Sequence, residues 1–208
     1  MRIGIIGSGH IGGTLARLLA GDGHEVTVAN SRAPETLSGL VDQLGERGRA
    51  GTPDEAAEFG DVVVVSIPFG RYTQLPAERL AGKVVVDTNN YYPQRDGHIA
   101  ELDEGRTSSS ELLARHLPGA RVVKAFNTMY WERLRDQGRP AGGGERLAIP
   151  VAGDDAEAKR VVAGLIDGIG FDPVDTGGLA DGGRRQQPGS PVYNAPLTGE
   201  QLRQRLGA

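Results

Sequence analysis

Short apolar runs alternate along this chain with longer stretches in which apolar residues return every three or four positions. That rhythm predicts a β-α-β-α order and a mostly parallel sheet, doubly wound with helices on both faces. The first strand is predicted over Arg2 to Ile6. A helix follows from His10, with Ile11, Leu15, Leu18 and Leu19 on one face and Gly21 to Gly23 as its stop. Glu25 to Ala29 reads as the second strand and Arg49 to Gly51 as a weaker third, ahead of a helix opening at Thr52-Pro53-Asp54. Asp61 to Ile67 and Lys83 to Asp87 are rich in consecutive valines, the mark of strands covered on two faces, and so belong at the sheet centre. Further strands are predicted at Arg121 to Ala125, Leu147 to Ala152 and Phe171 to Val174. Ser108 with Glu111, and Asp154 with Glu157, have the spacing of capping boxes that open helices. The glycine- and charge-rich stretch 135–144 reads as a loop. Residues 177–208 read as a surface-wrapping tail ending in a short helix capped by Thr198, so that 1–208 makes one domain.

Gly7-Ser8-Gly9-His10-Ile11-Gly12 lies between the first strand and the first helix, and that context makes G-x-G-x-x-G the fingerprint of an NAD(P)-binding Rossmann fold. Gly7 permits the tight turn, Gly9 lets backbone approach a pyrophosphate, and Gly12 lets helix and strand pack closely. The helix N-terminus supplies free N–H groups for the phosphate charge. An incidental turn in a chain with 32 glycines is the competing explanation. The clear flanking strand and helix weigh against it.

Sites that take NAD usually end the second strand with a carboxylate on the ribose hydroxyls. Here the end is Asn30-Ser31-Arg32. A hydroxyl and a guanidinium suit a 2′-phosphate, so NADP(H) is the expected dinucleotide. Ser66, Ile67 and Pro68 end the fourth strand, where ligands of open α/β sheets sit, and are expected beside the nicotinamide. Asn89, at the end of strand five, faces the same crevice, as do Asn127, Thr128 and Met129 after the strand through Val123. Turn chemistry explains Asn89 and Asn90 equally well.

Composition removes several alternatives. There is no cysteine, so thiolate chemistry, disulfides and cysteine-ligated metals are excluded. The four histidines show no metal-ligand spacing, and no metal is expected. A net charge of −4 provides no basic surface for nucleic acid. The longest apolar run, Val62 to Val65 with Ile67 beyond it, is too short to span a bilayer, and the chain enters a strand at once, so a cytoplasmic location without a membrane partner is expected. No side chain is singled out as a catalytic acid or base.

The loop Gly7 to Gly12, Asn30-Ser31-Arg32, Ser66-Ile67-Pro68, Lys124-Ala125-Phe126-Asn127-Thr128 and Val151-Ala152-Gly153-Asp154-Asp155 together resemble the NADPH-dependent reductases of the 8-hydroxy-5-deazaflavin coenzyme F420. The same pattern is similar to the reductase domain of the STEAP metalloreductases. The resemblance implies that Ser8, His10 and Ile11 touch pyrophosphate and ribose, and that Ser31 and Arg32 hold the 2′-phosphate. It also implies Ile67 and Pro68 at the nicotinamide, with Thr128 and Met129 near the ring of a deazaflavin or flavin acceptor. The stretch Thr88 to Gly97 and the tail around Pro188 to Asn194 depart from the archaeal deazaflavin reductases. Hydride transfer between small-molecule redox cofactors is the leading expectation, with a homodimer plausible. A sensor of the NADPH/NADP ratio, or a reductase of a small carbonyl or imine using Tyr91, Tyr92 or Tyr130 as proton donor, are the alternatives.

Overall fold

The computed structural model describes residues 1–207. Strands β1 (Arg2–Ile6), β2 (Glu25–Ala29), β3 (Gly48–Gly51), β4 (Val62–Val65), β5 (Val84–Asp87), β6 (Arg121–Lys124), β7 (Ala148–Gly153) and β8 (Asp172–Asp175) form an eight-stranded sheet in the order β3-β2-β1-β4-β5-β6-β7-β8. Every pairing is parallel except β6 with β7, so the sheet is the mostly parallel α/β arrangement expected of an NAD(P)-binding fold. The strand order turns back at β1, which lies between β2 and β4. Beyond their carboxyl ends is the place where ligands bind in such sheets.

Helices α1 (His10–Gly21), α2 (Ser38–Leu44), α3 (Pro53–Phe59), α4 (Ala77–Leu80), α5 (Pro93–Asp96), α6 (Ala100–Asp103), α7 (Ser109–His116), α8 (Trp131–Asp136), α9 (Ala156–Gly168), α10 (Asp181–Arg184) and α11 (Gly199–Leu206) complete the fold. Alternate strand residues feed two cores. Ile3, Ile5, Val26, Val62, Val64 and Val86 join Leu15 of α1 and Val162 and Ile166 of α9 on one face. Ile6, Val63, Val65 and Val85 join Ala56 of α3 and Leu113 of α7 on the other. The valine runs are thus explained: each position of β4 is buried, whichever way it points. Each such side chain contributes about 1.5–3 kcal/mol. Gly4 sits where a Cβ would overlap the Ala56 carbonyl, so α3 can lie directly on β1 only because that position is glycine.

Three expectations change. Asp154 does not cap α9; Asp155 does, its Oδ1 accepting the Ala158 N–H at 2.8 Å. The Asp154 carboxylate instead accepts the Leu179 N–H at 3.0 Å, and so ties the chain after β8 to the end of β7. The segment read as a loop from 135 begins inside a helix, since α8 runs to Asp136. From residue 177 to 207 the chain is more than a wrap: Val192, Leu197 and Leu202 pack with Ala148 and Val174 in a third core, and the Gln186 side chain is fully buried. No helix among the described residues is long and apolar enough to cross a membrane.

Candidate functional site

The glycine loop connects β1 to α1 by the geometry its spacing predicted. Gly7 has φ +112°, a conformation that disfavours any side chain, and a Cβ there would overlap the Ser66 carbonyl. A Cβ on Gly12 would overlap the Gly7 carbonyl, so the first turn of α1 is pressed onto the loop. Gly9 differs from both. A Cβ there meets no atom within 4 Å and would project into open space before the helix. Gly9 is also the N-cap of α1, and no side chain caps that end, so the leading N–H groups are available to an anion.

Two cavities lie along the carboxyl edge of the sheet, of about 510 and 490 Å³, and both are bounded by Gly9, Ser66, Ile67 and Pro68. The first contains Ser8, Asn30, Ser31 and Arg32, and no Asp or Glu lines it among the described residues. Asn30 shapes this end: its Oδ1 accepts the Arg32 N–H at 2.8 Å and its Nδ2 donates to Thr36 Oγ1 at 3.1 Å. The turn so held presents Ser31 and Arg32 outward. A second guanidinium, Arg71, borders the same cavity from the helical turn after Pro68. The combination is cationic and suits a phosphomonoester.

The second cavity has aromatic and amide walls. The His10 ring stacks on Trp131 at the start of α8, with centroids 4.7 Å apart and planes 17° from parallel. Asn89, Asn127 and Met129 line it, as expected. Thr128 does not. It is 5% exposed, and its carbonyl accepts the Asn194 N–H at 2.9 Å, which fastens the tail to the crevice wall. Just before this stretch, Phe126 has a φ of +65°, so the chain turns sharply after β6. Tyr92 and Tyr193 close the far side through a bond between their hydroxyls. Burial, and then that bond, push the Tyr193 hydroxyl well above the usual tyrosine range, so it keeps its proton. Tyr91 lies off the crevice, with its hydroxyl bonded to Asp103 at 2.7 Å and to the Ile99 N–H at 2.9 Å. Tyr130 stands at the rim, 54% exposed.

Beneath the crevice is a buried ion pair. Lys124 Nζ lies 3.3 Å from Asp87 Oδ2 and donates to the Asn89 carbonyl at 3.0 Å, both charged side chains being wholly buried. Asp87 also accepts from Ser110 Oγ at 2.6 Å and from the Asn89 N–H at 2.9 Å. Asn89 Oδ1 in turn accepts the Ile67 N–H at 2.8 Å. The ends of β4, β5 and β6 are thereby held in one network, and the Ile67-Pro68 wall is fixed relative to the amide wall. Among the described residues no group of three or more metal-ligating side chains comes together.

Arg71, Trp131, Tyr193 and Asn194 border the site without having been expected there. Arg71 carried a signal in its place three residues past Pro68. Trp131 opens α8 two residues after Met129, whereas Tyr193 and Asn194 come from the segment beyond β8, which no local pattern ties to the crevice.

This geometry has relatives. A family described as NADP oxidoreductase, coenzyme F420-dependent, matches residues 2–91, the part that builds the glycine loop and the cationic cavity. The metalloreductase STEAP3 of Rattus norvegicus is 35% identical over 181 residues, 86% of this chain but 34% of that protein, so the chain spans about a third of its length. Among solved structures, the hypothetical protein SMa0349 from Sinorhizobium meliloti superposes with a TM-score of 0.82 at 34% identity, covering 95% of each chain. A protein of Arthrobacter sp. fb24 assigned as an F420-dependent NADP-reductase superposes with a TM-score of 0.74 at 32% identity, covering 86% of each. The chain belongs to the coenzyme F420-dependent NADP oxidoreductase family.

Proposed function

We propose that this protein transfers a hydride between NADP(H) and a flat redox ring of the flavin or deazaflavin class, coenzyme F420 being the preferred candidate. The observation that carries the reading is the pair of cavities on either side of Ser66-Ile67-Pro68, one cationic and one aromatic and amide-lined, which share a wall. The open space in front of Gly9 and the uncapped start of α1 fit a pyrophosphate. Ser31 and Arg32, with Arg71, fit a 2′-phosphate, and Ile67 and Pro68 offer an apolar surface to a ring. NADP(H), when bound, supplies the hydride. The chain's own part is to place two rings at the shared wall and to keep water from between them, since hydride transfer requires the reacting carbons within roughly 3–3.5 Å.

Arg32→Ala should remove most of the preference for NADPH over NADH. A charged hydrogen bond to phosphate is worth roughly 1.5–3 kcal/mol, or about 10- to 150-fold. Equal affinity of the native protein for the two dinucleotides, measured by titration, would show the phosphate to be held elsewhere.

The acceptor is tested by following NADPH oxidation with coenzyme F420, FMN, FAD and riboflavin. Because Met129, and not Thr128, faces the cavity, Met129→Trp is the variant that should crowd the acceptor. We expect NADPH affinity near native and acceptor reduction lowered by about 100-fold, the cost of displacing reactants by an ångström or so. If the native protein binds NADPH yet reduces none of the four, the hydride-transfer reading fails and a dinucleotide sensor replaces it.

A further inference from the structure

One cation stands in the aromatic cavity. Arg95, in α5, is the only permanently charged side chain among the described residues that line it. Its Nε and Nη2 donate to the Asp96 carboxylate at 2.9 and 2.8 Å, and Nη2 also donates to the Asn90 carbonyl at 2.6 Å. The guanidinium carbon lies 4.9 Å from the centroid of the Tyr92 ring. Asn90 and Tyr92 both belong to the cavity wall, so the guanidinium is held between two wall residues and its plane is fixed. Asp96 is itself anchored, its side chain fully buried and accepting the Tyr92 N–H at 2.9 Å. These bonds leave part of the fork unused: Nη1 has no partner among the described residues, and the Arg95 side chain is 45% exposed. Beside it, the bond between the Tyr92 and Tyr193 hydroxyls uses one of their two hydrogens and leaves the other to donate. An anion entering this cavity meets a preset guanidinium and no carboxylate on the wall.

We propose that Arg95 binds a phosphate carried on the side chain of the acceptor, so that the protein selects a phosphorylated flavin or deazaflavin over the same ring with only its ribityl chain. This selectivity rests on the proposed function, in which the phosphates of the dinucleotide already have the α1 N-terminus and Arg32 with Arg71, so that Arg95 falls to the second reactant. The phosphate can come from two sources. In FMN it is a terminal monoester and in coenzyme F420 an internal diester, and both offer oxygens to a guanidinium; riboflavin and 8-hydroxy-5-deazariboflavin end in a neutral hydroxyl. Because the phosphate takes no part in hydride transfer, holding it stabilises the bound acceptor and the transition state alike. The selectivity therefore falls on KM and not on kcat.

NADPH oxidation by the native protein and by Arg95→Gln, followed with FMN against riboflavin and with coenzyme F420 against 8-hydroxy-5-deazariboflavin, tests this. In the native protein one phosphorylated member at least should have a KM below that of its partner by about fivefold or more at similar kcat, as expected of a half-exposed charged hydrogen bond. The pair that shows the difference identifies the phosphate. Arg95→Gln should bring that ratio close to one by raising the KM of the phosphorylated member, with NADPH affinity native by calorimetry. If Arg95 only supported the wall, both members would shift alike and the ratio would stand. Since Arg95→Gln leaves a buried carboxylate without its cation, the double change Arg95→Gln with Asp96→Asn is the second variant. High potassium chloride should also shrink the ratio in the native protein, because the contact is open to solvent. Equal KM within both pairs, a ratio that resists both variants or the salt, or a loss of NADPH affinity in Arg95→Gln, which would give the guanidinium to the dinucleotide, overturns the proposal. If the native protein reduces none of the four acceptors, it is the proposed function that has failed, and the role of Arg95 falls with it.

Discussion

Gly9→Val is expected to abolish dinucleotide binding in a protein that still folds. The separation of the two effects comes from the geometry of this one position. Its φ of −69° is accessible to valine, and a Cβ meets no protein atom within 4 Å, so nothing in the fold must move. The stability cost is that of a poorer N-cap, about 1 kcal/mol. The added methyl groups would occupy the space before the first N–H groups of α1. In the proposed function a pyrophosphate makes at least two charge-assisted hydrogen bonds there, each contributing roughly 1.5–3 kcal/mol, so affinity should fall by more than about 100-fold. Calorimetric titration with NADP and a thermal melt separate the two quantities. A variant that still binds within a few-fold of native would mean that the phosphates do not use this loop. The same change at Gly7 or Gly12 is not an equivalent test, because there the side chain collides with backbone and the fold itself is at risk.

Lys124→Met should be the most damaging single change to stability. It leaves the Asp87 carboxylate wholly buried with only Ser110 Oγ and the Asn89 N–H as partners. Breaking a buried pair by removing one member costs about 3–5 kcal/mol. For a chain of this size that lowers the melting temperature by roughly 6–20 °C. Because the desolvated charge and not the lost contact is the main cost, Lys124→Met with Asp87→Asn should recover much of the loss. A double variant no more stable than the single one would refute that account. The ion pair also reaches the site: without Lys124 Nζ the Asn89 carbonyl loses a partner, and Asn89 holds Ile67. In the double variant, stability should therefore return further than acceptor reduction does.

Where the information was local, the sequence was a good guide. The strand rhythm identified all eight strands to within a residue or two, since a valine run buried on two faces looks the same in any parallel sheet. The glycine loop was equally legible, because Gly7 and Gly12 each answer to a close backbone contact, while Gly9 opens onto free space before α1. The errors arise where one residue's conformation or a distant segment decides the outcome. Asp154 and Asp155 both have a cap's composition, and only the position of Leu179 shows which of them is engaged elsewhere. Thr128, expected beside Met129 at the crevice, is turned away from it two residues after Phe126, whose left-handed conformation its residue type does not advertise. Tyr193 bonds Tyr92 and Asn194 bonds Thr128, partners so far away along the chain that no periodicity reaches them.

The reversal at β7 has a further consequence for how this scaffold can change. It brings the segment 186–194 back over a crevice whose other walls are laid down much earlier in the chain. That segment is fastened through its main chain: Asn127 Nδ2 grips the Gln186 carbonyl, Asn194 donates its N–H to the Thr128 carbonyl, and Arg133 holds the Asn194 carbonyl at 2.9 Å. None of these attachments depends on which side chains the segment carries. Its exposed positions are thus free to drift while the wall stays docked, and in our reading a new partner for the dinucleotide can be acquired by rewriting a short stretch without disturbing the loop that holds the phosphates.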